Sequence, residues 1–188
     1  MGNKKFRNGS FRLQSWDYRN DGAYFITINA AKHKHYFGEI INGKMCKNEI
    51  GEFAENFWLE IPNHFEHVQL ENFVVMPNHT HGILILESCV RPSNSVGDTK
   101  PRNPKSAAKI KFGGKNENWN SGSVGVIINQ YKRIVTINAR KINPSFGWQP
   151  KFNDHIIRNS ISFDRIQNYI KNNPQKWQDD VFNGKRKR

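Results

Sequence analysis

Apolar residues in this chain form short runs and helical stripes, separated by segments rich in Gly, Asn and Pro. Aromatic and β-branched residues at 23–31 follow the turn-forming sequence RNDG, and they predict a strand. The segment 36–48 predicts a hairpin, because Asn42-Gly43 is a common two-residue turn. Two longer runs, VQLENFVVM and THGILILE, predict strands that continue or pair across MPN, and WQPKFNDHIIR predicts a short strand.

Three segments instead show helical spacing. The segment 49–65 has Pro62 at its end and an apolar stripe, which consists of Ile50, Phe53, Phe57 and Ile61. A second helix is predicted for 123–142 with Ser123 as its N-cap, and a third for 162–174 with Ser162 as its N-cap. Strands that helices interrupt without regular alternation predict an α+β fold, with helices packed on one face of an antiparallel sheet.

Composition changes between the second apolar hairpin and the second helix. Residues 88–122 are rich in Lys, Asn, Ser, Gly and Pro, and they predict a flexible basic insertion within a single domain of 188 residues. The segment can be a solvated linker, or it can be an arm that becomes ordered on nucleic acid. A second basic segment, 179–188, is predicted to be a tail that contacts phosphate groups.

The net charge of the chain indicates which kind of partner it binds. Lys and Arg outnumber Asp and Glu by 29 to 16, giving a net charge of +13, which favours a polyanion such as nucleic acid. The candidate phosphate contacts are basic residues on the second helix, after the last strand and in the insertion: Lys132, Arg133, Arg140, Lys141, Arg158, Lys105, Lys109 and Lys111. No apolar run is long enough to span a membrane, and Cys46 and Cys89 form no CxxC pattern. We therefore expect a cytoplasmic protein that associates with the nucleoid.

Two histidines stand one residue apart in the run NHTHGILIL. Residues i and i+2 of a strand point to the same face, so His79 and His81 would direct both imidazoles into one place. Neutral imidazole binds divalent ions, although two histidines alone do not complete a site. The alternative is one buried and one exposed histidine without a shared role. A second such pair, His33 and His35, lies in the charged stretch KHKHY and indicates surface or phosphate contact.

The last predicted helix offers a nucleophile. Tyr169 and Asn173 are four residues apart and share one helical face. A tyrosine hydroxyl can attack an electrophile covalently, and an Asn amide oxygen can ligate a hard cation. Because Asn173 precedes Pro174, its helical geometry is in doubt. Tyr131 competes as the nucleophile, but its apolar neighbours favour a place in the core.

Four segments, in order, carry a resemblance to a known family: VVMPNHTHGILIL, SGSVGVIINQYKRIVTINA, WQPKFNDHIIRN and RIQNYIKNNPQKW. Over about residues 10 to 178 the chain resembles the single-tyrosine HUH transposases, in the branch of the REP-associated tyrosine transposases. The resemblance implies a ferredoxin-like α+β domain, with a central antiparallel sheet and helices mainly on one face. Thr80 stands where the family's pattern has an apolar residue.

The resemblance also implies a reaction. His79 and His81, with Asn173 one turn after the tyrosine, would bind Mg or Mn, and His155 is a further candidate near the site. Tyr169 would attack single-stranded or hairpin DNA from palindromic repeats, form a 5′-phosphotyrosine link and leave a free 3′-OH. The implied activity is that of a DNA-nicking and strand-transferring transposase, and a homodimer is one arrangement that the family uses.

Two other functions stay open at this stage. A non-catalytic, regulatory hairpin-binding protein derived from a transposase needs only basic charge and stacking aromatics. A replication initiator or relaxase shares the chemistry, but the small size and the absence of a helicase motif disfavour it. The DNA target, and whether the tyrosine acts in cis or in trans, are not determined by the sequence.

Overall fold

A four-stranded antiparallel sheet organises the part of the chain that this computed structural model describes, which comprises residues 17–18, 20–87 and 122–183. The strand order is β4-β5-β1-β6, and a separate two-stranded hairpin consists of β2 and β3. The strands are β1 (Gly22–Asn29), β2 (Gly38–Ile41), β3 (Lys44–Lys47), β4 (Val68–Met76), β5 (His79–Leu86) and β6 (Asn153–Ile157).

Helices separate the strands of the sheet. They are α1 (Glu49–Leu59), α2 (Ile61–His64), α3 (Val124–Ile142) and α4 (Ser160–Asn172), with 3₁₀ turns at Ala31–His33, Pro174–Asp179 and Val181–Asn183. Helix α1 lies in the connection from β1 to β4, and α3 lies in the connection from β5 to β6. This β-α-β-β-α-β order, with β1 in the middle of an antiparallel sheet, is ferredoxin-like, so the predicted fold class is confirmed.

The alternation of β1 separates two layers. Tyr24, Ile26 and Ile28 are fully buried in the main core, which contains residues of α1 and α3. Phe25 lies on the other face, in a smaller apolar cluster with Ile166 and Ile170 of α4. Two long helices therefore share one face of the sheet, as predicted, and α4 alone covers part of the other face.

The predicted turns are confirmed in both hairpins. Asn42 and Gly43 have positive φ angles of 50° and 73°, as a two-residue turn between twisted strands requires. Strands β4 and β5 pair with each other across Pro77-Asn78, with Met76 opposite His79. The alternative, one continuous strand, does not occur.

Two predicted helix details were wrong. Asn159, not Ser162, caps α4, because the Asn159 side chain accepts a hydrogen bond from the backbone N–H of Ser162. The buried side of α1 consists of Ile50, Ala54 and Trp58, while Phe53 and Phe57 are only half-buried. Ile50 and Ile61 of the predicted stripe are buried, but Ala54 and Trp58 take the place of its two phenylalanines, since Trp58 packs against the sheet through Phe73.

Asn173 keeps helical angles (φ −58°, ψ −44°) despite the proline that follows it. The chain turns directly into the 3₁₀ segment, where Pro174 occupies the first position and has no N–H to place. Residues 179–183, which the sequence assigned to the tail, belong to this structured end. The rest of the tail, and Lys105, Lys109 and Lys111 of the insertion, lie outside the described residues.

No helix within the described ranges is long and apolar enough to cross a membrane.

Gly82 allows α1 to approach the sheet. A Cβ at this position would collide with Cζ2 of Trp58 and would lie 2.9 Å from Cδ2 of Phe73. The Trp58 and Phe73 rings stack there, with centroids 4.6 Å apart and an 8° interplanar angle. Neither ring can move without displacing the other, so the absence of a side chain at Gly82 is a packing requirement.

We expect Gly82→Ala to lower the free energy of unfolding by about 1–3 kcal/mol, the usual cost of overpacking a core. Urea denaturation measures the change. Gly147→Ala is the matched control, because its added Cβ would meet only the Ala31 side chain at an ordinary 3.7 Å. Equal stability of the two variants would contradict the tight packing of Trp58 on β5.

Candidate active site

The two histidines of the NHTH segment begin β5 and lie on one face of the sheet. The exposed fractions of His79 and His81 are 0% and 2%, and their ring centroids are 4.5 Å apart. Both imidazoles therefore share one buried place on the α4 side, and the alternative of one buried and one exposed histidine does not occur.

Asn78 determines which nitrogen of His79 carries the proton. The Asn78 amide nitrogen donates to the carbonyl oxygens of His33 (3.1 Å) and Phe182 (2.7 Å). Its Oδ1 must therefore be the atom that faces His79, and it accepts from Nδ1–H at 2.8 Å. The lone pair of His79 is thus on Nε2, and this buried atom has no hydrogen-bond partner among the described residues.

His81 stands between a threonine and the tyrosine. Its Nδ1 lies 2.8 Å from the hydroxyl of Thr27, which is buried on β1, and its Nε2 lies 3.2 Å from the hydroxyl of Tyr169. Phe25 stacks on the imidazole at a centroid distance of 5.3 Å and meets the Tyr169 ring edge-on. The strand below and α4 above therefore hold the His81 ring in one orientation.

Burial keeps both imidazoles neutral. It lowers the pKa of His79 well below its usual value, and the neighbouring His81 and His33 rings lower it further. Burial also lowers the pKa of His81 to about 3. Neutral imidazoles with fixed rings are the form that binds metal ions.

Tyr169 and Asn173 lie one turn apart on α4 and face the histidine pair differently. Tyr169 is 41% exposed, and its hydroxyl lies beside the buried His81. Burial and the negative charge of Asp180 raise the pKa of Tyr169, and an interaction with the Asn173 side chain opposes the rise. Asn173 is 2% exposed, and its Oδ1 has no hydrogen-bond partner among the described residues.

These atoms fit a divalent cation. Nε2 of His79 and Oδ1 of Asn173 are buried acceptors without donors, and Nε2 of His81 faces the same site. Within the described residues, no group of three His, Cys, Asp or Glu side chains could hold a metal ion. An ion at this place would therefore depend on an amide oxygen beside the two imidazoles, which Asn173 can supply.

The 3₁₀ segments Pro174–Asp179 and Val181–Asn183 cover this site. The sequence analysis did not predict this cover. The Phe182 ring lies 4.7 Å from that of His79, and the Trp177 ring lies 6.0 Å from it. The proline-asparagine turn before the histidines could have indicated Asn78 as a site residue, but no local pattern indicated Thr27 or Phe182.

Three other histidines lie on the same side of the molecule as the pair. His155 is exposed on β6, opposite Phe25 and on the same face of the sheet as the pair. His33 and His35 are exposed, as predicted, and lie beside the covering segment: His33 stacks on Phe182 and His35 meets Trp177 edge-on.

Tyr131 belongs to the core on the opposite face of the sheet. It is buried, its hydroxyl donates to the carbonyl oxygen of Ala54 at 2.9 Å, and burial raises its pKa. The Tyr131 hydroxyl therefore cannot reach the histidine pair, because the sheet lies between them. Of these two tyrosines, Tyr169 is therefore the one that lies at the histidine pair.

Lys132, a predicted phosphate contact, does not face solvent. It is buried, and its ammonium group donates to the carbonyl oxygens of Gln149 and Pro150 at 2.7 and 3.3 Å. Burial lowers the pKa of Lys132 to about 8. Its role is to tie α3 to the loop before β6, since that loop offers carbonyl oxygens and no carboxylate at this point.

The remaining basic candidates are exposed but lie on different sides. Arg133, Arg140 and Lys141 are on α3, which covers the face opposite the histidine pair. Arg158 is exposed in the short link between β6 and α4, at the edge of the face that carries the pair. Among these residues, Arg158 is the one that the fold brings to the histidine side.

Comparison with known proteins finds a similar fold and a related sequence. The fold is similar to that of a REP-associated tyrosine transposase whose structure was solved with a bound REP hairpin. The likeness has a TM-score of 0.54, covers 88% of this chain and 74% of that chain, and has 17% sequence identity. At this identity the likeness shows the shared fold, and at that level the expected resemblance is confirmed.

A closer relation comes from sequence. The chain is 34% identical over 172 residues to an uncharacterized protein of Haemophilus influenzae (strain KW20/Rd), and the match covers 91% of this chain and 90% of that protein. The chain therefore belongs to the same family as that protein. No protein-family model matches the chain.

We expect the buried neutral histidines to make stability depend on pH. Below about pH 6.5, His79 and His81 each bind a proton in the unfolded chain. In the folded chain they do not, because burial lowers their pKa values. Stability is therefore lost as the pH falls from 6.5 toward 3, with a slope of about 1.4 kcal/mol per pH unit for each histidine.

Urea denaturation at several pH values, with a chelator present, measures this slope. His81→Asn should remove one of the two contributions, because the amide replaces Nδ1 beside Thr27 without binding a proton. An unchanged slope in the variant would contradict the neutral, buried state of His81.

Proposed function

We propose that this protein is a metal-dependent DNA nuclease and strand transferase of the tyrosine transposase type. Its substrate would be single-stranded or hairpin DNA from palindromic repeats. The observation that carries the proposal is the approach of the Tyr169 hydroxyl to within 3.2 Å of His81 Nε2, beside the unpaired Nε2 of His79 and Oδ1 of Asn173. A nucleophile beside a cation-binding set is the arrangement that phosphodiester transfer needs.

The proposed step is a transesterification. The Tyr169 oxygen attacks the phosphorus, and the bond from phosphorus to the 3′ oxygen breaks. The products are a 5′-phosphotyrosine link and a free 3′-OH, which takes up one proton while the phenol releases one. Because Tyr169 is partly exposed, that proton can pass to water. The reverse attack by a 3′-OH releases the protein, so no external energy source is required.

His79, His81 and Asn173 would hold Mg or Mn. The bound ion would offset the negative charge that increases on the phosphate in the transition state. The protein's own contribution is orientation: Asn78 and Thr27 fix the two imidazoles, and α4 fixes the distance from Tyr169 to them. The net charge of +13 supports a nucleic acid as the substrate. The similar transposase described above was solved with a REP hairpin, which supports a hairpin here.

Tyr169→Phe should abolish the covalent protein–DNA adduct and lower cleavage at least about a thousandfold, because phenylalanine has no attacking oxygen. The measurement is a denaturing gel of end-labelled hairpin DNA incubated with the protein and Mn. Tyr131→Phe, the control, should form the adduct, since its hydroxyl is buried on the other face. An adduct with the Tyr169 variant would disprove the assignment.

Removal of the metal should separate cleavage from DNA binding. A chelator, or His79→Ala, should stop cleavage at a given Mn concentration while hairpin binding in a gel-shift assay persists. His64→Ala, which changes an exposed histidine on α2, should leave both unchanged. Binding without cleavage in the wild-type protein with Mn would favour the alternative, a regulatory hairpin-binding protein.

A further inference from the structure

Asn29 is a buried polar residue to which the proposed reaction gives no part. It is the last residue of β1, it is 5% exposed, and it pairs in register with His79 of β5. Thr27 lies two residues earlier and contacts the His81 ring, so alternation places the Asn29 side chain on the same face. Directly opposite residues have Cβ atoms about 4.5–5.5 Å apart, which puts Asn29 beside His79.

The Asn29 side chain has an unpaired acceptor. Its Oδ1 is buried without a hydrogen-bond partner among the described residues. Its backbone is well held, because the carbonyl oxygen of Asn29 accepts from the N–H of Gln149 at 2.8 Å. The side chain is therefore kept at the site by two neighbouring segments, although it makes no polar contact there through Oδ1.

Oδ1 of Asn29 and Nε2 of His79 belong to residues that are paired on one face of the sheet, and both are buried acceptors without partners among the described residues, as is Oδ1 of Asn173. A buried acceptor without a donor is unfavourable, and native proteins rarely keep one unless a ligand or ion satisfies it. Several unpaired acceptors in one region indicate a cation, because a cation can satisfy all of them at once. Two imidazoles and a single amide oxygen form a nitrogen-rich set, whereas Mg and Mn prefer oxygen ligands.

We propose that Asn29 is a further metal ligand, which provides a second amide oxygen to the ion held by His79, His81 and Asn173. The inference rests on the metal site of the proposed function and adds to it a residue from β1. It also explains why a polar residue stands at the end of β1. The other residues of β1 on that face are apolar or pair with the histidines. The ligand set would then join three parts of the fold: β1, β5 and α4.

The test is the affinity of the full-length protein for Mn without DNA, from the electron paramagnetic resonance signal of the free ion. Asn29→Ala should raise the Kd for Mn about ten- to a hundredfold. Loss of a residue that only supports a ligand has an effect of this size, so loss of a ligand should have at least the same effect. Asn29→Asp, which has the same shape and a carboxylate oxygen, should bind Mn as tightly as the wild type or more tightly. Asn153→Ala is the matched control, because Asn153 is an exposed asparagine opposite Thr27 on β6.

A second readout guards against a change in folding. Each variant is melted with and without Mn, since an ion that binds only the folded chain raises the Tm. The Mn-induced rise should shrink in Asn29→Ala and persist in Asn29→Asp and Asn153→Ala. If Asn29→Ala does not fold, Asn29→Asp decides: weaker Mn binding than in the wild type would overturn the inference.

The outcomes separate this inference from the proposed function. If His79→Ala loses Mn while Asn29→Ala keeps the wild-type Kd, Asn29 is not a ligand, an ordered water satisfies its oxygen, and the proposed function stands. If the wild-type protein binds no Mn, both the inference and the metal-dependent function are overturned.

Discussion

The two-residue period of β5 is the constraint on which the rest of the structure depends. This strand lies between β4 and β1, and each of its faces serves a different purpose. Gly82 and Leu84 face α1 and α3, where Trp58 occupies the space that a side chain at Gly82 would need. His79 and His81 face the other way, toward α4. A shift of register by one residue would move the histidines into the apolar core and the core residues into the site.

The tight packing on one face thus stabilises the site on the other. Because Trp58 and Phe73 lock the register of β4 and β5, the His81 ring meets Thr27 on β1 in a single arrangement. The positions of both histidines depend on the sheet, while that of Tyr169 depends on how α4 docks on Ile83 and its neighbours. The candidate active site is therefore an interface between two layers, and each layer contributes a different kind of group.

Asn78 connects this interface to the rest of the chain. One amide bonds to the His79 ring, to the loop carrying His33 and to the carbonyl of Phe182, so three segments distant in sequence meet at one side chain. The Phe182 and Trp177 rings then close over the histidines, and Asp180 places a negative charge near Tyr169. The tautomer of His79 and the cover of the site are thus determined together.

The sequence by itself determined the local structure and the chemical groups. Alternation and turn residues specified the strands and the Asn42-Gly43 hairpin. The spacing of His79 and His81, and of Tyr169 and Asn173, made these residues candidates, and the family resemblance implied a metal site beside a nucleophile. Tertiary structure decided what local patterns cannot encode. It buried Lys132, which a helical pattern alone would place in solvent. Carbonyl oxygens of a distant loop accept hydrogen bonds from the Lys132 ammonium group. Tertiary structure also brought Asn29 and Phe182 to the histidines. These contacts join residues far apart in the chain, and they exist only once the sheet register and the docking of α4 are established.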